Sequence, residues 1–133
     1  MSPRLFFDAN ALFAATNSPQ GSSRAILELS ETRLCTVVSS AFALDETQRN
    51  VRAKRSHYLE TLKSLEALLQ VVPEPDPVLV KWAGEHVPMK DAPILAAAVA
   101  ANADVLVTGD RRHLDAFYGL TLKKVRFLTP GMP

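Results

Sequence analysis

Short apolar runs alternate with longer segments of helical period along the whole chain, and this alternation limits the fold more than any other feature. Leu5-Phe6-Phe7 and Val105-Leu106-Val107 have the length and make-up of buried strands. Residues 35–38, the pair Val71-Val72 and the run Val125-Arg126-Phe127-Leu128 read as further strands. Helices are predicted between them. A short one covers 11–15. A second, capped by Ser22 or Ser23, reaches about residue 31 with Ala25, Ile26 and Leu29 on its inner stripe. A third runs from Ser40 or Ala41 to about residue 53. Over 56–69 the residues Tyr58, Leu62, Leu65 and Leu69 recur at helical steps, which predicts one continuous helix. Asp76 caps the next helix with Pro77 at its first position; that helix carries Leu79, Trp82 and Ala83 and stops before Pro88. Another runs from Asp91 or Ala92 to about residue 102 with a stripe of Ile94, Leu95, Ala98 and Val99, and a short one covers 111–117. Strands alternating with helices predict an α/β fold with a mainly parallel sheet covered on both faces.

With 133 residues the chain fits a single domain, 1–133, around one core. Hydrophobic residues make up 47% and charged residues 22%, which argues against disorder. The formal charge of +1 gives no strong field toward a polyanion, so any RNA binding must come from local patches. The single cysteine, Cys35, excludes an intrachain disulfide and points to a reducing compartment. The few apolar residues before Asp8 are too short for a signal-peptide core, and the longest apolar run, Pro93 to Ala101, is far short of a membrane span. A cytoplasmic, soluble protein with no membrane partner is expected.

Open parallel sheets bind ligands at the carboxyl ends of their strands. Asp8 directly follows the first apolar run, and Asp110 follows Val105-Leu106-Val107 by way of Thr108-Gly109. Asp91 opens the helix that feeds the second of these strands, so its end of that helix lies at the same edge. Connectivity alone therefore brings Asp8, Asp91 and Asp110 together. Clustered carboxylates repel and need a compensating cation. An all-oxygen set suits Mg²⁺ or Mn²⁺, and such ions can activate a water and stabilise the leaving oxygen in phosphodiester hydrolysis. His57, His86 and His113 are scattered and offer no zinc site.

The run Leu5-Phe6-Phe7-Asp8-Ala9-Asn10-Ala11-Leu12 resembles the opening of PIN domains. The stretch Lys90-Asp91-Ala92-Pro93-Ile94-Leu95-Ala96-Ala97-Ala98, followed by Ala103-Asp104-Val105-Leu106-Val107-Thr108-Gly109-Asp110, resembles their second half, and Leu128-Thr129-Pro130 their closing strand. The resemblance implies a three-layer α/β/α sandwich and Mg²⁺- or Mn²⁺-dependent cleavage of RNA. It also implies kinship with toxins of the VapC type, with an antitoxin whose tail enters the acidic groove, and a homodimer. The family's remaining acidic position matches Glu46 in the Asp45-Glu46 pair. That assignment comes from the resemblance. Periodicity places Glu46 nearly opposite Leu44 and Val51, beside Phe42, and leaves Asp45 free to pair with Arg49 one turn on.

Supporting roles follow from position. Asn10 can orient a water or cap a helix, and Thr108 and Ser39 can fix a carboxylate's rotamer or satisfy strand-end backbone groups. Arg111 and Arg112, next to Asp110, are candidate phosphate contacts; Arg49, Arg52, Lys54 and Arg55 form a second basic group or a solvated face. For Asp91 the alternative role is that of a helix cap alone, which does not exclude its being a ligand; Asp104 belongs to a helix-to-strand turn, and Asp115 is an outside candidate. Trp82 and Tyr58 read as core or interface and Cys35 as a small buried hydrophobe. The rival readings are a receiver-like phosphotransfer domain, with Lys123 or Lys124 as its lysine, and a catalytically silent PIN-like interaction module.

Overall fold

A computed structural model describes residues 2–108 in full and the backbone of Thr121–Leu122 and Val125–Leu128. Six strands form one sheet: β1 (Arg4–Phe7), β2 (Thr36–Ser40), β3 (Gln70–Val72), β4 (Val105–Val107), β5 (Thr121–Leu122) and β6 (Val125–Leu128). Their order is β3-β2-β1-β4-β6-β5. Every neighbouring pair is parallel except β5 with β6. The expected mainly parallel sheet is present; the antiparallel β5 at its edge was not expected. The helices are α1 (Ala9–Asn17), α2 (Ser22–Ser30), α3 (Ala41–Lys54), α4 (Leu59–Glu66), α5 (Pro77–Gly84) and α6 (Ala92–Ala100).

Strand side chains alternate between two cores, as the pleat requires. Phe6, Val38 and Leu106 point to one face, where Ala83 of α5 and Leu95 of α6 meet them. Phe7, Val37, Val105 and Val107 point to the other, against Leu12 of α1, Leu27 of α2 and Leu65 of α4. The result is the three-layer α/β/α sandwich. The central strands are buried on both faces, which is why they read as unbroken apolar runs.

Local differences from the sequence reading have physical causes. The helix predicted over 11–15 extends to Ala9–Asn17 because Asp8 caps it. On α2 the buried positions are Ser23 and Leu27, while Leu29 is 48% exposed and Ala25 faces solvent. Leu27 and the partly buried Ile26 pack into the core, so of the expected stripe Ile26 faces inward while Ala25 and Leu29 do not, and Gly21 rather than a serine occupies the cap position. The helix predicted over 56–69 is broken: a 3-10 turn, Ser56–Tyr58, leads into α4, and only Leu62 and Leu65 of the stripe are buried in it. α6 is buried nearly all round, so its apolar positions outnumber a single stripe. It ends where Asn102 takes a left-handed φ of 57°, a conformation asparagine tolerates at helix ends. The predicted Asp76 cap of α5 is present, accepting from the Val78 N–H at 2.8 Å with Pro77 in the first turn. The helix expected over 111–117 lies outside the described residues.

Candidate functional site

The chain leaves β1 at Phe7, yet Asp8 stays tied to the sheet. Its backbone N–H donates to the Val107 carbonyl of β4 at 3.2 Å. Its carboxylate Oδ1 accepts from the Ala11 N–H at 2.8 Å, satisfying a donor at the start of α1 and fixing the side-chain rotamer. Asp8 is only 8% exposed. One strand away, the buried Ser39 hydroxyl donates to the Phe7 carbonyl at 2.9 Å. Of the two roles open to Ser39, this bond serves the strand-end backbone, immediately before Asp8. Thr108 is buried just past β4. Asn10 is exposed beside Asp8 on the first turn of α1.

Glu46 comes from α3. The Ser40 hydroxyl accepts from the Ala43 N–H at 3.1 Å and starts this helix at the carboxyl end of β2. Ala43, Thr47 and Val51 form its buried face, so Glu46 and Phe42, four residues apart, share the adjoining one. Asp45 instead pairs with Arg49 at 3.1 Å on the exposed side, the i,i+4 pairing its spacing suggested.

Asp91 arrives by a third route. A 3-10 turn, Met89–Asp91, in which the Asp91 N–H donates to the Pro88 carbonyl at 2.8 Å, leads directly into α6. Asp91 occupies the cap position of α6, but its side chain makes no capping bond, and its Oδ2 is buried. A cap-only role for Asp91 is therefore not what the geometry shows.

Asp8, Glu46 and Asp91 line one cleft of about 400 Å³ at the carboxyl edge of the sheet. Asn10 lines it too, as do Phe42, Met89 and Lys90, three residues that the sequence reading did not place there. The i,i+4 step from Phe42 to Glu46 was the available signal for the first. The acidic donors are all oxygens, the chemistry of a hard divalent cation. Among the described residues no three His, Cys, Asp or Glu side chains gather closely enough to hold a metal. Asp110, Arg111, Arg112 and Asp115 lie outside the described residues, as does His113.

The other candidates sit elsewhere. Asp104 accepts from the Arg4 N–H at 2.8 Å in the turn into β4, the role its position predicted. Trp82 and His86 make a tilted ring contact with centroids 4.8 Å apart, and Tyr58 makes another with His57 at 4.3 Å. Cys35 is buried, its Sγ 3.7 Å from the Ile26 carbonyl, and burial pushes its thiol above the usual range. In the second basic group, Lys54 lies 6.0 Å from the Phe13 ring centre, while Arg52, Lys54 and Arg55 are exposed. No described helix is long and apolar enough to cross a membrane.

No curated protein sequence matches the chain. Solved structures match its fold. VapBC2 from Rickettsia felis, bound to a DNA fragment from its promoter, aligns over 95% of this chain and 98% of its own, with TM-score 0.72 and 19% identity. The DNA-bound VapBC of Salmonella typhimurium aligns over 96% and 98%, with TM-score 0.65 and 16% identity. VapC20 of Mycobacterium tuberculosis, a sarcin–ricin loop cleaving toxin, aligns over 84% and 94%, with TM-score 0.59 and 16% identity. The family model for the PIN domain matches residues 4–112, a span that contains Asp8, Glu46, Asp91 and Asp110. The parallel sheet, the acidic cleft at its carboxyl edge and this match agree, and a receiver-like domain is set aside: the chain belongs to the PIN-domain family.

Proposed function

We propose that the protein is a ribonuclease of the VapC type, a single nuclease domain over 1–133 that hydrolyses RNA phosphodiester bonds with Mg²⁺ or Mn²⁺. The observation that carries this reading is the meeting of Asp8, Glu46 and Asp91, from three separate elements, in one cleft. Asp8, Glu46 and Asp91 offer the cleft only oxygen donors, the chemistry that suits a hard divalent cation. Asp110, three residues past β4 in sequence, completes the proposed set. When bound, the ion supplies Lewis acidity for a phosphoryl oxygen and lowers the pKa of water.

The chain's own residues do the positioning. Asp8 holds one fixed orientation through its cap bond to Ala11. Asp91 presents its carboxylate from the end of the buried α6, and Glu46 reaches in from α3. Asn10 and Thr108 orient the carboxylates or a water in the cleft, and Arg111 and Arg112 hold substrate phosphate. VapBC complexes among the fold neighbours support an antitoxin partner, and the family resemblance a homodimer, in the cytoplasm.

The test is cleavage of RNA by purified protein in Mg²⁺ or Mn²⁺, with and without chelator, comparing wild type with Asp8→Asn and Asp110→Asn. Cleavage lost to chelator and to both substitutions is expected. Cleavage unchanged in either variant removes the metal-site argument, and a wild type that neither binds divalent ions nor cuts RNA is a silent module.

A further inference from the structure

We propose that Phe42 is a specificity residue of this cleft, its ring stacking on an unpaired nucleobase next to the phosphate held by the carboxylates. The inference rests on the nuclease reading for the identity of the occupant.

Phe42 lines the cleft one helical turn before Glu46 and is 38% exposed. It is not part of the core: α3 buries Ala43, Thr47 and Val51, the neighbouring face. Its backbone is fixed, because its N–H donates to the Glu74 carboxylate at 2.8 Å, tying the first turn of α3 to the connector after β3. Met89, 79% exposed, adds a second apolar side chain to the same lining. Phe42 and Met89 give the cleft an apolar surface alongside its carboxylates, the mixed lining of a ligand site.

Electrostatics explain why such a surface is needed. The described lining holds three carboxylates against one ammonium, Lys90, and the whole chain carries a formal charge of +1. Neither draws in a polyanion by long-range attraction. A cation held by the carboxylates, together with Arg111 and Arg112, would take the phosphate, and the base beside it is left to short-range contact. An aromatic ring provides it, since every base has a π-face and stacking tolerates any sequence. A base inside a duplex has its faces covered by its neighbours, so stacking on Phe42 favours unpaired nucleotides. A peptide with apolar side chains is the competing occupant, and the test separates the two.

The full-length protein is mixed with a single-stranded octaribonucleotide carrying 2-aminopurine near its centre, in Ca²⁺, and emission and affinity are read for wild type, Phe42→Trp, Phe42→Leu and Phe42→Ala. Cleavage of the same oligonucleotide, alone and annealed to its complement, is followed separately in Mn²⁺. Thermal midpoints confirm that each variant is folded. Wild type and Phe42→Trp are expected to quench the base. Phe42→Leu and Phe42→Ala are expected to lose the quench and to bind roughly ten- to hundredfold more weakly. Their preference for single strand over duplex narrows through KM, with kcat within about threefold.

Affinity and quench unchanged in Phe42→Ala overturn the stacking proposal while the nuclease reading stands on its cleavage assay. Equal affinity of Phe42→Leu and wild type also overturns it, since leucine keeps the apolar surface a peptide would use and lacks the π-face. Phe42-dependent quenching without cleavage supports stacking and removes the nuclease reading. Neither binding nor cleavage removes both.

Discussion

The backbone N–H of Asp8 donates to the carbonyl of Val107, 3.2 Å away across the first and fourth strands. The register pairs Phe7 with Val107, so both strands end at the same level. Asp8 therefore emerges beside the end of β4 and the buried Thr108. This bond joins two positions about a hundred residues apart, Asp8 and Val107, at the carboxyl edge of the sheet.

Asp8 carries both a structural and a proposed chemical role, and two substitutions separate them. Asparagine caps helices about as well as aspartate, so Asp8→Asn should keep unfolding free energy within about 1 kcal/mol of wild type. Asp8→Ala removes the bond to the Ala11 N–H and should cost ~1 kcal/mol or more in urea unfolding. Both should lower RNA cleavage by about a hundredfold or more. A stable Asp8→Asn variant with wild-type cleavage would sink the ligand role.

Asp45 and Glu46 are neighbours in sequence with different surroundings. Asp45 pairs with Arg49 in solvent, whereas Glu46 lines the cleft. Glu46→Gln should reduce kcat by roughly tenfold or more, while Asp45→Asn should leave cleavage intact and shift stability by less than about 0.5 kcal/mol, as exposed pairs do. Steady-state cleavage and urea midpoints read both, and the reverse ranking would reassign the fourth carboxylate.

Packing of α2 depends on Leu27, which is fully buried between helix and sheet. Leu27→Ala should cost about 2–5 kcal/mol. Leu29→Ala, at an exposed position on the same helix, should stay within roughly 0.5 kcal/mol. Equilibrium unfolding of the two variants tests the observed inner position, Leu27, against the expected one, Leu29.

Burial raises the Cys35 thiol above its usual value. Between the unfolded and folded values the unfolded chain binds fewer protons, so stability falls as pH rises there. The contribution is complete below the usual thiol range and is lost as pH climbs through the folded value. Cys35→Ala should flatten the decline in urea midpoint at alkaline pH. In wild type at pH 8, a disulfide exchange reagent should label Cys35 slowly until urea unfolds the chain. Immediate labelling of native protein would contradict the burial.

Much of this protein is written in local sequence. Leu5-Phe6-Phe7 and Val105-Leu106-Val107 announce strands buried on both faces because a two-sided strand cannot alternate. Asp76-Pro77 announces a helix start because capping and a fixed φ act within one turn. Parallel connectivity then puts Asp8 and Asp91 at one edge, since a helix returning between parallel strands must begin where the first strand ended. What local pattern left undecided was settled by contacts between distant residues. The period over 56–69 was helical throughout, yet Ser56–Tyr58 forms a 3-10 turn before α4. The inner face of α2 turned to Leu27 because the surface of α1 accepts it there. The cleft lining by Phe42, Met89 and Lys90 arises where three elements converge, and no single segment carries that information. Sequence set the central strands, the Asp76 cap and the shared edge of Asp8 and Asp91 through short-range chemistry and connectivity. Tertiary packing decided which face each helix buries and which side chains Asp8 and Asp91 meet.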